Sequence, residues 1–207
     1  MTGSADLIQE RPIEPTDRIA KAALAQFTDF GIRRTSVEDI AARAGLSRVT
    51  VYRNVGSRDE VIRLVLRTEA QRAMRELDQE LTDETDPEAT LEIGFAFLVR
   101  FIREHPLFDR LLKTEPETLL PSVTVEGGPF LDFYRELIAD SLRPLVRAGS
   151  IAPVDLERAA EGVARLAISL ILTPSGLVDA DDPDAVAAFA RDTLLPMLKP
   201  QSGDRRV

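Results

Sequence analysis

Residues 35–58 read Thr-Ser-Val-Glu-Asp-Ile-Ala-Ala-Arg-Ala-Gly-Leu-Ser-Arg-Val-Thr-Val-Tyr-Arg-Asn-Val-Gly-Ser-Arg. The pattern predicts two short helices joined by a tight glycine turn, then the capped start of a third. That is the layout of a helix-turn-helix, whose second helix enters the DNA major groove. Thr35 with Glu38, and Ser57 with Glu60, have the spacing of capping boxes. In such a box each side chain bonds a backbone N–H that the helix start leaves without a partner. Val37, Ile40 and Ala41 face inward, Gly45 supplies a backbone conformation that side chains disfavour, and Ser47 caps the next helix.

Outward from that stretch the whole chain reads as helical, with no strand-like alternation and no internal repeat, so the fold class is all-α. A first helix is predicted over Asp17–Phe30, with Ile19, Ala20, Ala23, Leu24, Phe27 and Phe30 as its apolar stripe and Gly31 as its C-terminal cap. A long helix runs from Ser57 to about Leu81. Asp86-Pro87 opens a helix to about Glu104, and Pro106 a short one to about Lys113. Residues 114–128, with Pro116, Pro121, Gly127 and Gly128, read mostly as loop. Further helices are expected over Pro129–Ala148, from about Val154 to Leu172, and from Asp182-Pro183 to about Leu198. The domain reading is a flexible arm (1–16), a helix-turn-helix DNA-binding domain (17–63), a helical domain (64–200) and a flexible tail (201–207).

Composition limits the chemistry. The 207 residues are 44% hydrophobic, ample for a core. Cys is absent and His105 is the single histidine. Thiolate and multi-histidine metal sites and cysteine nucleophiles are therefore excluded. No phosphate loop, dinucleotide fingerprint or Ser/His/Asp order appears, so no enzyme activity, metal or cofactor is expected. The start of the chain lacks a signal peptide's basic and apolar segments, and no apolar run is long enough for a membrane span. A cytoplasmic protein without membrane contact is expected. The net charge is −9, but residues 11–58 carry +4 and residues 59–207 carry −11. A basic segment on an acidic body suggests that one end faces a polyanion.

Residues 17–63 resemble the N-terminal domain of TetR-type (tetracycline-repressor-like) transcriptional regulators. The resemblance rests on Phe-x-x-Phe-Gly (27–31), Thr-Ser-Val-Glu-Asp-Ile-Ala (35–41), Ala-Gly-Leu-Ser (44–47), Val-Tyr-Arg-Asn-Val (51–55) and Ser-Arg-Asp-Glu (57–60). Val55 stands where the family usually has an aromatic residue, and Arg58 where it often has Lys; one remains apolar and the other positive. The resemblance implies a homodimer that binds double-stranded DNA and a small-molecule effector, and it assigns effector binding and dimerisation to the helical domain (64–200).

The third helix exposes Arg48, Thr50 and Arg53, while Val49 and Val51 include at least one inward residue. Arg48 is the candidate for base readout, because a guanidinium bonds a guanine edge bidentately. Arg53 suits a base or a phosphate, and Thr50 a base edge or a thymine methyl. Tyr52 resembles the family tyrosine that bonds a phosphate. Thr35, Ser36, Ser47 and Arg58 sit at helix starts, where hydroxyls, N–H groups and cations suit phosphate oxygens. The same hydroxyls also serve as plain helix caps.

Aromatic content concentrates in residues 95–134. Phe95, Leu98, Phe101, His105, Phe108, Leu111, Phe130, Phe133 and Tyr134 form the candidate effector pocket, with an ordinary core as the alternative. At the break before Pro106, His105 also fits a helix cap. Leu156, Val163, Leu166 and Leu170 on one helix, and Val186, Phe189, Thr193 and Met197 on the last, are the expected dimer stripes. Such stripes can also close the chain's own core. The function this predicts is a homodimeric regulator, a repressor released from a pseudo-palindromic operator by a small apolar or amphipathic effector. An activator of the same fold, or a helical adaptor without DNA binding, are the alternatives.

Overall fold

The computed structural model describes residues 14–149 and 156–198, and every regular element among them is helical. The expected arm (residues 1–13 of it), the start of a helix at Val154 and the expected tail lie outside the described residues. The chain forms two compact units, divided between Glu69 and Ala70.

The first unit holds α1 (Pro15–Phe30), α2 (Val37–Ala44), α3 (Arg48–Asn54) and the first half of α4 (Arg58–Glu80). Pro15 starts α1 two residues before the expected Asp17, because a proline at the first helical turn withholds only an N–H that has no helical partner. Ile19, Ala20, Ala23 and Phe27 are buried as the stripe predicts, and α1 packs on both α2 and α3. Phe30 departs from it. It closes the helix just before the chain turns at Gly31, and 53% of it stays exposed.

The cap of α2 is Ser36, not Thr35. The Ser36 hydroxyl accepts from the Asp39 N–H at 3.1 Å, and the Ser36 N–H donates to the Asp39 carboxylate at 2.9 Å. Thr35 is buried, and its hydroxyl donates to the Gly31 carbonyl at 2.7 Å. Drawn inward, it passes the cap to the next residue and the box to Asp39. Gly45 adopts the left-handed conformation (φ 64°, ψ 38°) that the turn requires, and its N–H bonds carbonyls at the end of α2. Ser47 caps α3 through the Thr50 N–H at 3.1 Å. Glu60 accepts from the Ser57 N–H at 2.6 Å, as its box predicts.

The second unit holds the rest of α4, then α5 (Pro87–Glu104), α6 (Pro106–Thr114), α7 (Pro116–Val123), α8 (Gly128–Arg147), α9 (Leu156–Leu172), α10 (Pro183–Phe189) and α11 (Leu195–Leu198). Its main core joins α5, α8, α9 and α10 through residues such as Leu91, Phe95, Val99, Leu142, Ala160 and Val186. A second cluster sets Ala73 and Leu77 of α4 against Phe97. Asp86 and Asp182 cap α5 and α10 as expected, with proline at the first helical turn of each.

Two expectations fail here. Residues 116–123 are helix α7 rather than loop: Pro116 is harmless at the first turn, and Pro121 interrupts one helical bond without ending the helix. The last helix is also not continuous. Between α10 and α11 lies a π-helical turn, Ala190–Leu194, in which the Leu195 N–H reaches back to the Ala190 carbonyl. Pro196 follows directly, has no N–H to donate and crowds the carbonyl four residues earlier, which a widened turn relieves.

Candidate nucleic-acid interface

Val51 anchors α3 with no exposure at all, and that fixes which way the helix looks. Two residues are about 200° round a helix, so an inward Val51 forces Val49 outward. Val49 is 73% exposed and Tyr52 44%. Arg48, Val49, Tyr52 and Arg53 are all exposed and span one contiguous arc of the helix. Val49 is absent from the residues predicted for DNA contact, although the helical spacing from Val51 already implied its direction.

Arg48 is held across the top of this arc. Its guanidinium meets Glu38 of α2 at 2.5 Å and lies 5.3 Å from the centre of the Tyr52 ring. Both partners of the ion pair are more than half exposed, so the pair adds little stability but aims the guanidinium. Ser47 is exposed, and its hydroxyl lies 2.8 Å from that of Thr50, which is half-buried. Ser36 is half-buried within its capping box.

Two predicted phosphate contacts have other roles. Thr35 is buried with its hydroxyl turned to Gly31, so that hydroxyl does not reach the surface. Arg58 donates from Nε to the Thr35 carbonyl at 3.1 Å and from its terminal nitrogen to the Ile32 carbonyl. Its planar fork therefore ties the α1–α2 loop to the start of α4. Arg18, which sequence reasoning passed over, does similar work. It donates to the Ala44 carbonyl at 2.6 Å, where a cation suits the carbonyl end of α2, and fixes the turn before α3.

The capping carboxylates give this unit an acid sensitivity. The Ser36 hydroxyl, and then its N–H, hold the Asp39 carboxyl below its ordinary value; the Ser57 N–H, and then its hydroxyl, do the same for Glu60. A carboxyl lowered on folding stabilises the fold above its unfolded value, and the contribution fades as pH falls through the folded one. Amide exchange in α2 and α3 should therefore quicken as pH drops through the carboxylate range, after correction for intrinsic rates. The fall should be shallower in Asp39→Asn/Glu60→Gln, and identical acid limbs would refute the role of the two boxes.

In the second unit the predicted pocket residues divide between a cleft and the cores. Leu98, Phe108, Phe130 and Tyr134 line an apolar cleft of about 560 Å³, open mouth included. Phe95 belongs to the main core, 6.1 Å from Phe189. Phe101 stacks on Phe97 beside the α4 cluster. His105 is a buried cap, its Nδ1 accepting from the Leu107 N–H at 3.2 Å, with Phe101 and Phe108 on either side. Leu111 is buried outside the cleft, and Phe133 meets Tyr134 edge to face without lining it. The sequence reading missed Ile102, Leu112, Leu119, Val123 and the α9 wall, because the cleft draws on five helices at once.

The dimer stripes are partly committed. Val163 and Val186 are buried in the chain's own core, so a partner cannot reach them. Leu156, Leu166, Leu170 and Phe189 pack against that core with part of their surface free, and Thr193 is half-buried. Met197 is 64% exposed.

Residues 19–65 match the family model described as bacterial regulatory proteins, tetR family. Residues 86–192 match the bacterial tetracyclin repressor C-terminal domain. An uncharacterized HTH-type transcriptional regulator of Mycobacterium tuberculosis (strain ATCC 25618 / H37Rv) is 29% identical over 206 residues, which cover 100% of this chain and 96% of the relative. Among solved structures, the TetR family repressor AlkX from Dietzia sp. strain DQ12-45-1b, implicated in biodegradation of n-alkanes, superposes with a TM-score of 0.66 at 24% identity. It covers 91% of this chain and 97% of its own. RolR in complex with resorcinol gives 0.63 at 17% identity, over 91% and 89% of the two chains. At these identities the structural likeness is one of fold.

Proposed function

This chain belongs to the tetR family of bacterial regulatory proteins, as a transcriptional regulator with an N-terminal helix-turn-helix DNA-binding domain, and from that premise we propose a homodimeric cytoplasmic repressor. It leaves a pseudo-palindromic operator when a small apolar effector fills the cleft of the second unit. The observation that carries the DNA reading is the exposed arc of Arg48, Val49, Tyr52 and Arg53 over a fully buried Val51.

In this account Arg48 exchanges Glu38 for the O6 and N7 of a guanine. Val49 meets a thymine methyl, and Arg53 takes a base edge or a phosphate. Tyr52, Ser47 and Ser36 hold phosphates and Thr50 meets a base edge, with the N-termini of α2 and α3 adding N–H groups and a favourable dipole. Thr35 and Arg58 support the loop that carries these groups. The effector weakens DNA binding only by preferring the dimer form whose recognition helices are wrongly spaced. Leu156, Leu166, Leu170, Phe189, Thr193 and Met197 keep enough free surface to contribute to a dimer face. RolR, with the same fold, is a resorcinol complex, which supports a small-molecule site somewhere in this fold.

Arg48→Ala should cost about 1–3 kcal/mol on the preferred operator and relax the choice at one base pair of each half-site. Uracil in place of the thymine that meets Val49 should cost about 0.8 kcal/mol for the lost methyl, and nothing further in Val49→Ala. Binding titrations on matched operators check both. Equal losses on all sequences would leave Arg48 a phosphate ligand only.

A further inference from the structure

We propose that the cleft of the second unit selects an uncharged, mainly hydrocarbon molecule, received beneath α7; this rests on reading the chain as a ligand-responsive regulator. The walls come from α5, α6, α7, α8 and α9, and no charged side chain is among the described lining residues. Among the described residues Tyr134 is the one lining side chain with a polar group, and its hydroxyl adds no surface to the cleft. The 560 Å³ counts the open mouth; the enclosed free space is only about 40 Å³, so a ligand enters by displacing the cover above it.

Three cations of the same unit are already committed. Arg103 is paired with Asp181. Arg135 meets Asp132 at 2.9 Å, and Arg165 meets Glu161 at 2.7 Å. Arg110 of α6, whose Nε is buried without a hydrogen-bond partner, is not among the described lining residues, so a carboxylate or an ammonium inside the cleft would give up its water against an apolar wall, a cost that a neutral chain does not meet. The surroundings already act this way on the protein's own phenol: burial pushes Tyr134 up to about 12, disfavouring its anion.

The cover is α7, which turns Leu119 and Val123 to the cleft yet has no fully buried residue. It is a single short helix interrupted by Pro121. Few buried contacts make an element easy to displace, which suits a ligand cover. Leu120, next along α7, is 38% exposed and does not line the cleft.

The test uses three probes of equal chain length with the full-length protein: 1-decanol, decanoate and decyltrimethylammonium, titrated by calorimetry at pH 7.5 below micelle formation. Decanol should bind saturably, at least about tenfold tighter than either ion. Leu119→Glu should abolish decanol binding and Leu120→Glu should keep it, with matching helical content in both variants. Failure of decanol to bind, equal or tighter binding of either ion, or indifference of binding to Leu119→Glu in a folded variant would overturn the proposal. DNA release is scored separately. A protein that binds decanol and stays on its operator keeps this ligand class and loses the switch reading, whereas one that binds operator and no probe loses this ligand class and keeps the DNA-binding reading.

Discussion

Phe27→Ala is expected to cost the helix-turn-helix unit about 3–5 kcal/mol, the range for deleting a buried aromatic ring. Phe27 is the largest of the side chains with essentially no exposure, and Ile19, Ala23, Ile40, Val51 and Val61 share that complete burial. A unit this small buries a modest fraction of its surface and has only several kcal/mol of stability to lose. The ring sits on α1, which packs on both α2 and α3, so the void left by alanine loosens the platform under the recognition helix. Amide protection in α1–α3 should fall by roughly two to four orders of magnitude, and operator affinity by the smaller factor set by the share of the unit that unfolds. Amides of the second unit's core, Val99 and Ala160 among them, should keep theirs. A loss of protection below about tenfold would mean that Phe27 is not the keystone its burial indicates.

Operator affinity is expected to fall by about 10³ or more between 50 and 200 mM salt, if the two protomers together neutralise about six phosphates. The whole chain carries −9, which makes this the less intuitive prediction. It follows from where the charge lies. Residues 11–58 are net +4, and Arg34, Arg48 and Arg53 are exposed within them. The acidic remainder repels DNA elsewhere along the chain and favours docking through that one basic face. Fluorescence anisotropy across a salt series gives the slope. A slope near zero would show that the basic segment does not meet phosphate and would favour the adaptor reading.

Local chemistry made the DNA-binding unit legible. Gly45 in a left-handed turn, Ser47 as a cap and the Ser57–Glu60 box all follow from neighbours within a few residues, and all stand in the structure. The cap of α2 was the exception. Thr35 with Glu38 and Ser36 with Asp39 are equally good boxes by spacing, and the choice between them is made by Gly31, whose carbonyl draws Thr35 inward. Val49 was legible in principle, through its offset from Val51, once that residue was known to be the anchor.

The second unit was less legible for a physical reason. A run of phenylalanines at helical spacing says that something is buried, but not against what. Phe95 went to the main core, Phe101 to a cluster with α4, and Phe108 to the cleft, although all three lie within about four turns of chain. Which of them met open space depended on α7, a helix hidden behind two prolines, and on α9, far off in sequence. The same holds for the expected dimer stripes, where Val163 and Val186 proved to close the chain's own core.

On this reading α3 reads base sequence, in two copies related by a two-fold axis. Selection of bound duplexes from random DNA, run in parallel with the protein and with Arg48→Ala, tests it most directly. Enrichment is expected of a pseudo-palindrome whose half-sites lie one helical turn apart, roughly 34–36 Å, with a guanine in each half-site losing its preference in the variant. Recovery of no enriched sequence, or of a single asymmetric half-site bound at full affinity, would contradict it.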